Sequence, residues 1–575
     1  MSILSGRGWL AGSLVAALLL TGCDAKAPQE SADVLYSGGS ILTMVGDTPS
    51  YAEALLVKDG RILFVGDLAK ARDAAKAERE VDLQGHTLLP GFIDGHGHIY
   101  NAGIQKLVAN LLPPPDGDGH SVASLVELLK AWQGQNDGAI TKTGWIIGFG
   151  YDDSQLQEQR HPTASELDRV ATDTPVLIIH QSGHLGAMNH KGLELAGITA
   201  DTANPEGGVI RREADGKTPN GVLEEMAMFQ PLFRLFGELD ADSNEKIALA
   251  GVDAYKENGF TTAQEGRASP PASETWRKLA NEGRLELDVA VYPDVQSATD
   301  YLLASGVSPT YQNHFRIAGA KLSLDGSPQG KTAWLSKPYK VPPEGKSADY
   351  AGYPAIPAAE ERQRLVNLAF ENNWQLLTHC NGDAAAQALI DAVAVAADEY
   401  GNDDRRTVMI HAQTITEAQL DQMQALKIMP SFFSMHTYYW GDWHRDQTLG
   451  KEWAYHISPT ASALKRGMIF TEHHDAPVAL PSAIMILYTT VNRISRSGDI
   501  IGPGQRVSPY IGLKSLTEWG AWQYFEEGQK GTLEPGKLAD FVILDKDPLV
   551  IPPEEIINIR VLETIKEGKS IYQAP

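Results

Sequence analysis

Cysteine is nearly absent: the chain has two among 575 residues, Cys23 and Cys380. With Cys23 consumed by the N-terminal processing described below, no disulfide can form within the chain. Basic residues are also short. Lys and Arg number 49 against 73 Asp and Glu, a formal charge of −24. Phosphate binding needs a basic face, so this balance excludes nucleic acid as a partner and instead supports solubility. The apolar run at residues 9–20 is too short to span a bilayer as a stable anchor. What is present is 43% hydrophobic residues over a length that allows a large core. A single barrel with additions fits that length, as do two or three domains.

Residues 1–22 read as a processing signal in which Arg7 is the only charged residue. LTGC at 20–23 resembles a bacterial lipobox, where cleavage leaves Cys23 as a lipid-bearing N-terminus. An ordinary signal peptide is the alternative. Residues 23–33 then serve as a polar tether. Lipid at Cys23 attaches the protein to the periplasmic side of the bacterial cell envelope without spanning the membrane. Asp24 resembles an inner-membrane retention signal.

Residues 34–89 show short strands and turns, with a hairpin at Asp59-Gly60. A few strands cannot bury both faces alone. Matching strands recur at 528–575, so the two ends are expected to build one small β domain. The middle, 90–527, forms the main domain. Within it, 101–250 is too long for a plain loop and reads as an insertion. Its segments 145–150 and 175–180 are strand-like and 125–132 is helical. Residues 183–189 and 207–212 are glycine-rich and read as a binding surface. From Val252 onward, helical patterns alternate with apolar segments at 260–264, 287–292, 317–324, 375–379, 407–411, 428–434 and 468–471. With 92–96 these make eight strands. The alternation predicts an α/β fold with a parallel sheet, and eight units predict a (β/α)8 barrel with function at the C-terminal strand ends.

Polar groups collect at those ends. TLLPGFIDGHGHIY at 87–100 closes the first strand. Period-2 alternation points His96 and His98 the same way, so they can share one metal ion, and Gly95 and Gly97 leave the ion room to approach. Lys321 lies in the fourth strand. His379, His411 and Asp475 end the fifth, sixth and eighth. Each has a bland alternative: a snorkelling lysine, a hydrogen-bonded core histidine, a helix cap. Together those alternatives need five coincidences. Imidazole and carboxylate ligands suit zinc and similar divalent ions.

The pattern resembles the amidohydrolase superfamily and, within it, the family-3, YtcJ-like branch. Residues 90–98, 183–198, 207–225, 321–330, 379–383 and 531–547 carry the resemblance, which spans nearly all of the mature chain. It implies a TIM barrel with a β-sandwich built from both termini and a long insertion after the first barrel strand. By the same resemblance, His96 and His98 bind a first metal, joined by Asp475, which is also general base towards the attacking water. His379 and His411 bind a second. Lys321 matches a bridging lysine that is carboxylated in many relatives, so the chain holds one or two ions depending on that modification. Relatives often form homodimers. His184 falls in a segment similar to a D-G-H-x-x-x-x-N motif and orients the substrate carbonyl, although Ser182 replaces the Asp.

The implied reaction is hydrolysis of a non-peptide carbon–nitrogen bond in a small molecule: an amide, an N-acyl or N-formyl amine, or a cyclic amide. The same site could serve a lactonase or deaminase, and a non-catalytic ligand-binding lipoprotein is the reading from another class. The aromatic stretch 432–444 suits an apolar or aromatic substrate group, or else a packed lid. His473 and His474 are expected to orient their neighbours. Cys380 has no activating partner and is not read as a nucleophile.

Overall fold

The computed structural model describes residues 30–343 and 345–575. The expected processing signal, 1–22, and Cys23 lie outside the described residues. The end of the expected tether, 30–33, already runs within the strand Glu30–Leu42, whose first residues pair in parallel with 75–77. The β region therefore begins earlier than residue 34.

Strands from both ends join in one eight-stranded sheet. The seam is antiparallel: Phe541–Leu544 pairs with Thr87–Pro90, placing Val542 opposite Leu89. Asp59 and Gly60 both take positive φ, 50° and 73°, as a tight hairpin turn requires. The strands form one hydrogen-bonded path, and a bridge from Arg61 to Leu538 brings its far edge back beside the residues leading into Phe541–Leu544. Its core draws Val34, Tyr36 and Leu55 from one end of the chain and Phe541 and Ile565 from the other.

The middle of the chain has a TIM-barrel-type α/β fold. Phe92–Ile93, Phe260–Ala268, Asp288–Pro293 and Phe315–Ile317 form a parallel four-stranded sheet. Gly319–Ser323, Gln375–Cys380, Val408–His411, Met429–Phe432 and Thr471–Glu472 form a parallel five-stranded one. The expected fourth strand is split at Ala318, one piece in each sheet. A parallel bridge between Asp294 and Lys321 connects the two sheets. Helices lie between the strands. Pro270–Asn281, for instance, starts on the Ser269 cap and buries Trp276 and Leu279.

At the other junction, Asp475 N donates to His96 O at 3.2 Å and His98 N to Ala476 O at 2.9 Å. Gly95 and Gly97 have a different role here from giving an ion room. A Cβ on Gly95 would lie 2.9 Å from Thr471 Cβ, and one on Gly97 would lie 2.3 Å from the Tyr255 hydroxyl. Both glycines allow close packing of the shell around the site. Gly97→Ala is expected to cost about 1–3 kcal/mol, the range for overpacking, and urea unfolding of the metal-free protein would measure it.

Residues 109–225 contribute a six-stranded sheet, in the order Gly208–Arg212, Pro219–Glu225, Leu185–Met188, Val176–His180, Ile146–Tyr151, Ala109–Asn110. The glycine-rich segments expected to form a surface are thus mostly strands of this layer. Among the described residues no helix is long and apolar enough to cross a membrane.

Candidate metal centre

His96 and His98 follow the short strand Phe92–Ile93, and their rings stand 5.0 Å apart. His96 Nδ1 meets Gln264 Oε1 at 2.6 Å, and His98 Nδ1 meets the carbonyl of Gly266. Both partners are acceptors, so each Nδ1 carries the proton and each Nε2 presents its lone pair. Gln264 is itself oriented, because its amide nitrogen donates to Gly95 O and to the Tyr524 hydroxyl.

The two Nε2 atoms converge on Asp475, whose Oδ1 lies 3.3 Å from each. Two ligand atoms on one ion at zinc-like bond lengths stand about 3.0–3.4 Å apart for angles between square and tetrahedral. Asp475 Oδ1 is buried and accepts no hydrogen bond. An orphaned carboxylate oxygen flanked by two imidazole nitrogens that present lone pairs fits a divalent cation. The three residues form one of three such clusters among the described residues.

The other expected ligands lie beside it. Lys321 is 1% exposed, which excludes a snorkelling role. Its Nζ stands 2.8 Å from His96 Nε2. Burial pushes this amine down to about 7. His379 Nε2 donates to Gly326 O at 3.1 Å, leaving its Nδ1 to face His411 Nε2 at 3.1 Å. His411 Nε2 is also 3.8 Å from Asp475 Oδ2, which ties the two positions together. His473 was expected to orient a neighbour, and it spans His411 Nδ1 at 3.0 Å and Ser431 Oγ at 2.9 Å. Burial holds His96, His379, His411 and His473 well below the usual imidazole range, so all four are in the neutral form that binds metal.

The backbone is strained at the same place. His411, Ala412 and Asp475 take φ values of 71°, 45° and 52°. Such conformations cost non-glycine residues about 1–3 kcal/mol each and cluster at functional sites.

A family model described as the amidohydrolase family matches residues 79–572. The chain belongs to that family. It is 25% identical to the YtcJ protein of Bacillus subtilis (strain 168) over 554 residues, covering 94% of this chain and 99% of that one. It is 26% identical to the N-substituted formamide deformylase of Arthrobacter pascens, over 91% of this chain and 95% of the relative. Among solved structures, an uncharacterized metal-dependent hydrolase from Pyrococcus horikoshii shares the fold with a TM-score of 0.72 at 24% identity, over 90% of this chain and 99% of that one. The protein is therefore an enzyme, a metal-dependent hydrolase of carbon–nitrogen bonds, which removes the non-catalytic binding alternative.

In this amidohydrolase, Ser182, His184, Ser327, Gln329, Asn381, Phe433, His436 and Val478 line a pocket with His379, His411 and Asp475. A larger cavity beneath Trp334 and Arg362 lies among helices and holds none of these ligands. The histidine pocket is the chemically equipped one. His184 Nδ1 pairs with Glu225 Oε2 at 2.8 Å. Burial opposes its charged form, yet Glu225 lifts its pKa above the ordinary value. The 432–444 stretch is mostly packed wall: Phe432, Tyr439, Trp440 and His444 are buried core, and only Phe433 and His436 reach the pocket. His474 accepts from Ala476 N through Nδ1 and turns Nε2 towards Asp94. Burial raises the Cys380 thiol well above its usual range, in line with an inert residue.

Sequence reasoning missed Gln264, Gly266 and Glu225. Gln264-Glu265-Gly266 ends the second barrel strand, so the strand-end logic that found His379 would have reached Gln264. Nothing in the local sequence distinguishes Glu225.

Proposed function

We propose that the protein hydrolyses a non-peptide carbon–nitrogen bond of a small amide, with N-acyl and N-formyl amines and cyclic amides as the substrate class. The observation that carries this reading is the convergence of His96 Nε2, His98 Nε2 and the unpartnered Asp475 Oδ1 at 3.3 Å spacing. These three groups would hold a first divalent ion, for which their spacing is suited.

 

His379 Nδ1, His411 Nε2 and a carboxylated Lys321 would hold a second. A divalent ion bound there supplies Lewis acidity, making water more acidic and a carbonyl more electrophilic. The chain's own residues do the rest. Asp475 takes a proton from the attacking water and passes it to the leaving nitrogen. His184, held by Glu225, turns Nε2 to the carbonyl oxygen. The formamide deformylase among the relatives supports the N-acyl amine class.

Chelation tests this directly. Activity on N-formyl and N-acyl amines is expected to vanish on dialysis against a chelator and return with added zinc. Activity that survives removal of the metal contradicts the reading.

The bonds from Asp475 to His96 and from His98 to Ala476 support closure of the eight strands into a barrel, with 34–89 and 528–575 as the second domain and 101–250 as an insertion. The LTGC motif at 20–23 supports lipid anchoring through Cys23 on the periplasmic side of the envelope. Cys23→Ser is expected to leave the protein unlipidated, and metabolic labelling with palmitate reads the result. A labelled variant would rule out that site.

A further inference from the structure

Besides Asp475 Oδ1, three atoms in the pocket wall are buried without a hydrogen-bond partner: Ser327 Oγ, Gln329 Oε1 and Asn381 Oδ1. Their residues are 4%, 5% and 4% exposed, and all three line the pocket beside Asp475. Leaving a buried acceptor unpaired costs free energy, so three in one wall call for a ligand.

The wall is held in place from behind. Asn381 Nδ2 donates to Gly326 O at 2.9 Å, which fixes the amide orientation and leaves Oδ1 as the free atom. Ser327 N donates to Thr332 Oγ1 at 2.9 Å, and Trp443 Nε1 donates to Gln329 O at 3.1 Å. The chemistry of the free atoms is one-sided. Two are amide carbonyl oxygens, which only accept, and a hydroxyl accepts as readily as it donates. Phe433 and Val478 give the same pocket an apolar part.

We propose that Ser327, Gln329 and Asn381 form a specificity wall that reads an N–H on the substrate. It selects secondary amides, whose nitrogen keeps a proton, over N,N-disubstituted amides, while Phe433 and Val478 take the apolar substituent. This inference rests on the amide hydrolase reading above and deepens it. A site built to bond a substrate N–H rejects the analogue that lacks it, because its own buried acceptors are left unpaired.

The test uses the metal-loaded full-length protein and a matched pair, N-butylformamide and N-butyl-N-methylformamide. Binding is measured by calorimetry in the Asp475→Asn variant, where turnover is expected to be slowed about 10²–10⁴-fold, and hydrolysis is measured in the wild type. The secondary amide is expected to bind about 10-fold more tightly or better, the scale of one buried hydrogen bond. Asn381→Leu and Gln329→Leu should each shrink that ratio by weakening the secondary amide alone. Gln329→Leu guards against a folding defect, since the contact to Trp443 uses the main chain. Equal affinity for the two amides, no binding of either, or a ratio unchanged in both variants overturns the wall. A ratio that holds while the wild type hydrolyses neither amide supports the wall and overturns the catalytic reading.

Discussion

Asp475→Asn is expected to lower kcat by about 10²–10⁴-fold, the range for loss of a positioned general base, while the protein stays folded and keeps most of its metal. The reason lies in what Asp475 touches. Its Oδ1 faces His96 and His98 and bonds to nothing else, so no structural hydrogen bond is lost. Asn has the same shape and retains one carbonyl oxygen as a ligand. What it lacks is basicity: an amide cannot take the proton from water near neutral pH. Kinetics beside metal analysis and a melting curve separate the outcomes. Unchanged turnover refutes Asp475 as base. Loss of both fold and metal would mean that the charge is needed to assemble the centre.

Lys321→Ala is expected to reduce bound metal from about two ions per chain to one, with activity falling alongside it. The amine stands 2.8 Å from His96 Nε2 and is 1% exposed, so water cannot readily replace it. As an ammonium it would repel two cations. As a carbamate it offers two oxygens and a negative charge. Forming the carbamate makes an N–C bond between the neutral amine and carbon dioxide and releases a proton. Burial brings the amine down to about 7, so the reactive neutral form predominates above that pH. Reconstitution of metal-free protein with zinc and bicarbonate should therefore improve as pH rises through about 7. Occupancy that is the same in wild type and variant would show that Lys321 is not a bridge.

Much of the site was legible because its residues stand where apolar strands stop, and strand ends can be read from periodicity. His96, His98, His379, His411 and Asp475 were all visible in this way, and the structure brings them together within hydrogen-bonding or metal-binding reach. The partners that orient them were harder to see. Gly266 acts through a main-chain carbonyl, which no side chain advertises. Glu225 meets His184 across 41 residues because the strand Pro219–Glu225 pairs with Leu185–Met188, a register set by tertiary packing. The aromatic density at 432–444 reflected core packing against the barrel, which composition cannot distinguish from a substrate wall. Strands from the two termini were expected to meet because neither set could bury its faces alone, and in the structure they share one hydrogen-bonded sheet. That all of them share one sheet depends on the Val542–Leu89 register, and the sequence pattern does not encode it.

The most direct test of the account is a count of transition metal per chain in purified, folded protein never exposed to chelator, repeated after dialysis against one. The account predicts about two equivalents before dialysis and, afterwards, a loss of metal matched by a loss of hydrolysis. One equivalent would keep the hydrolase and remove the bridging role of Lys321. Folded protein that binds no metal, even with zinc supplied, would contradict the central claim that His96, His98 and Asp475 form a metal centre.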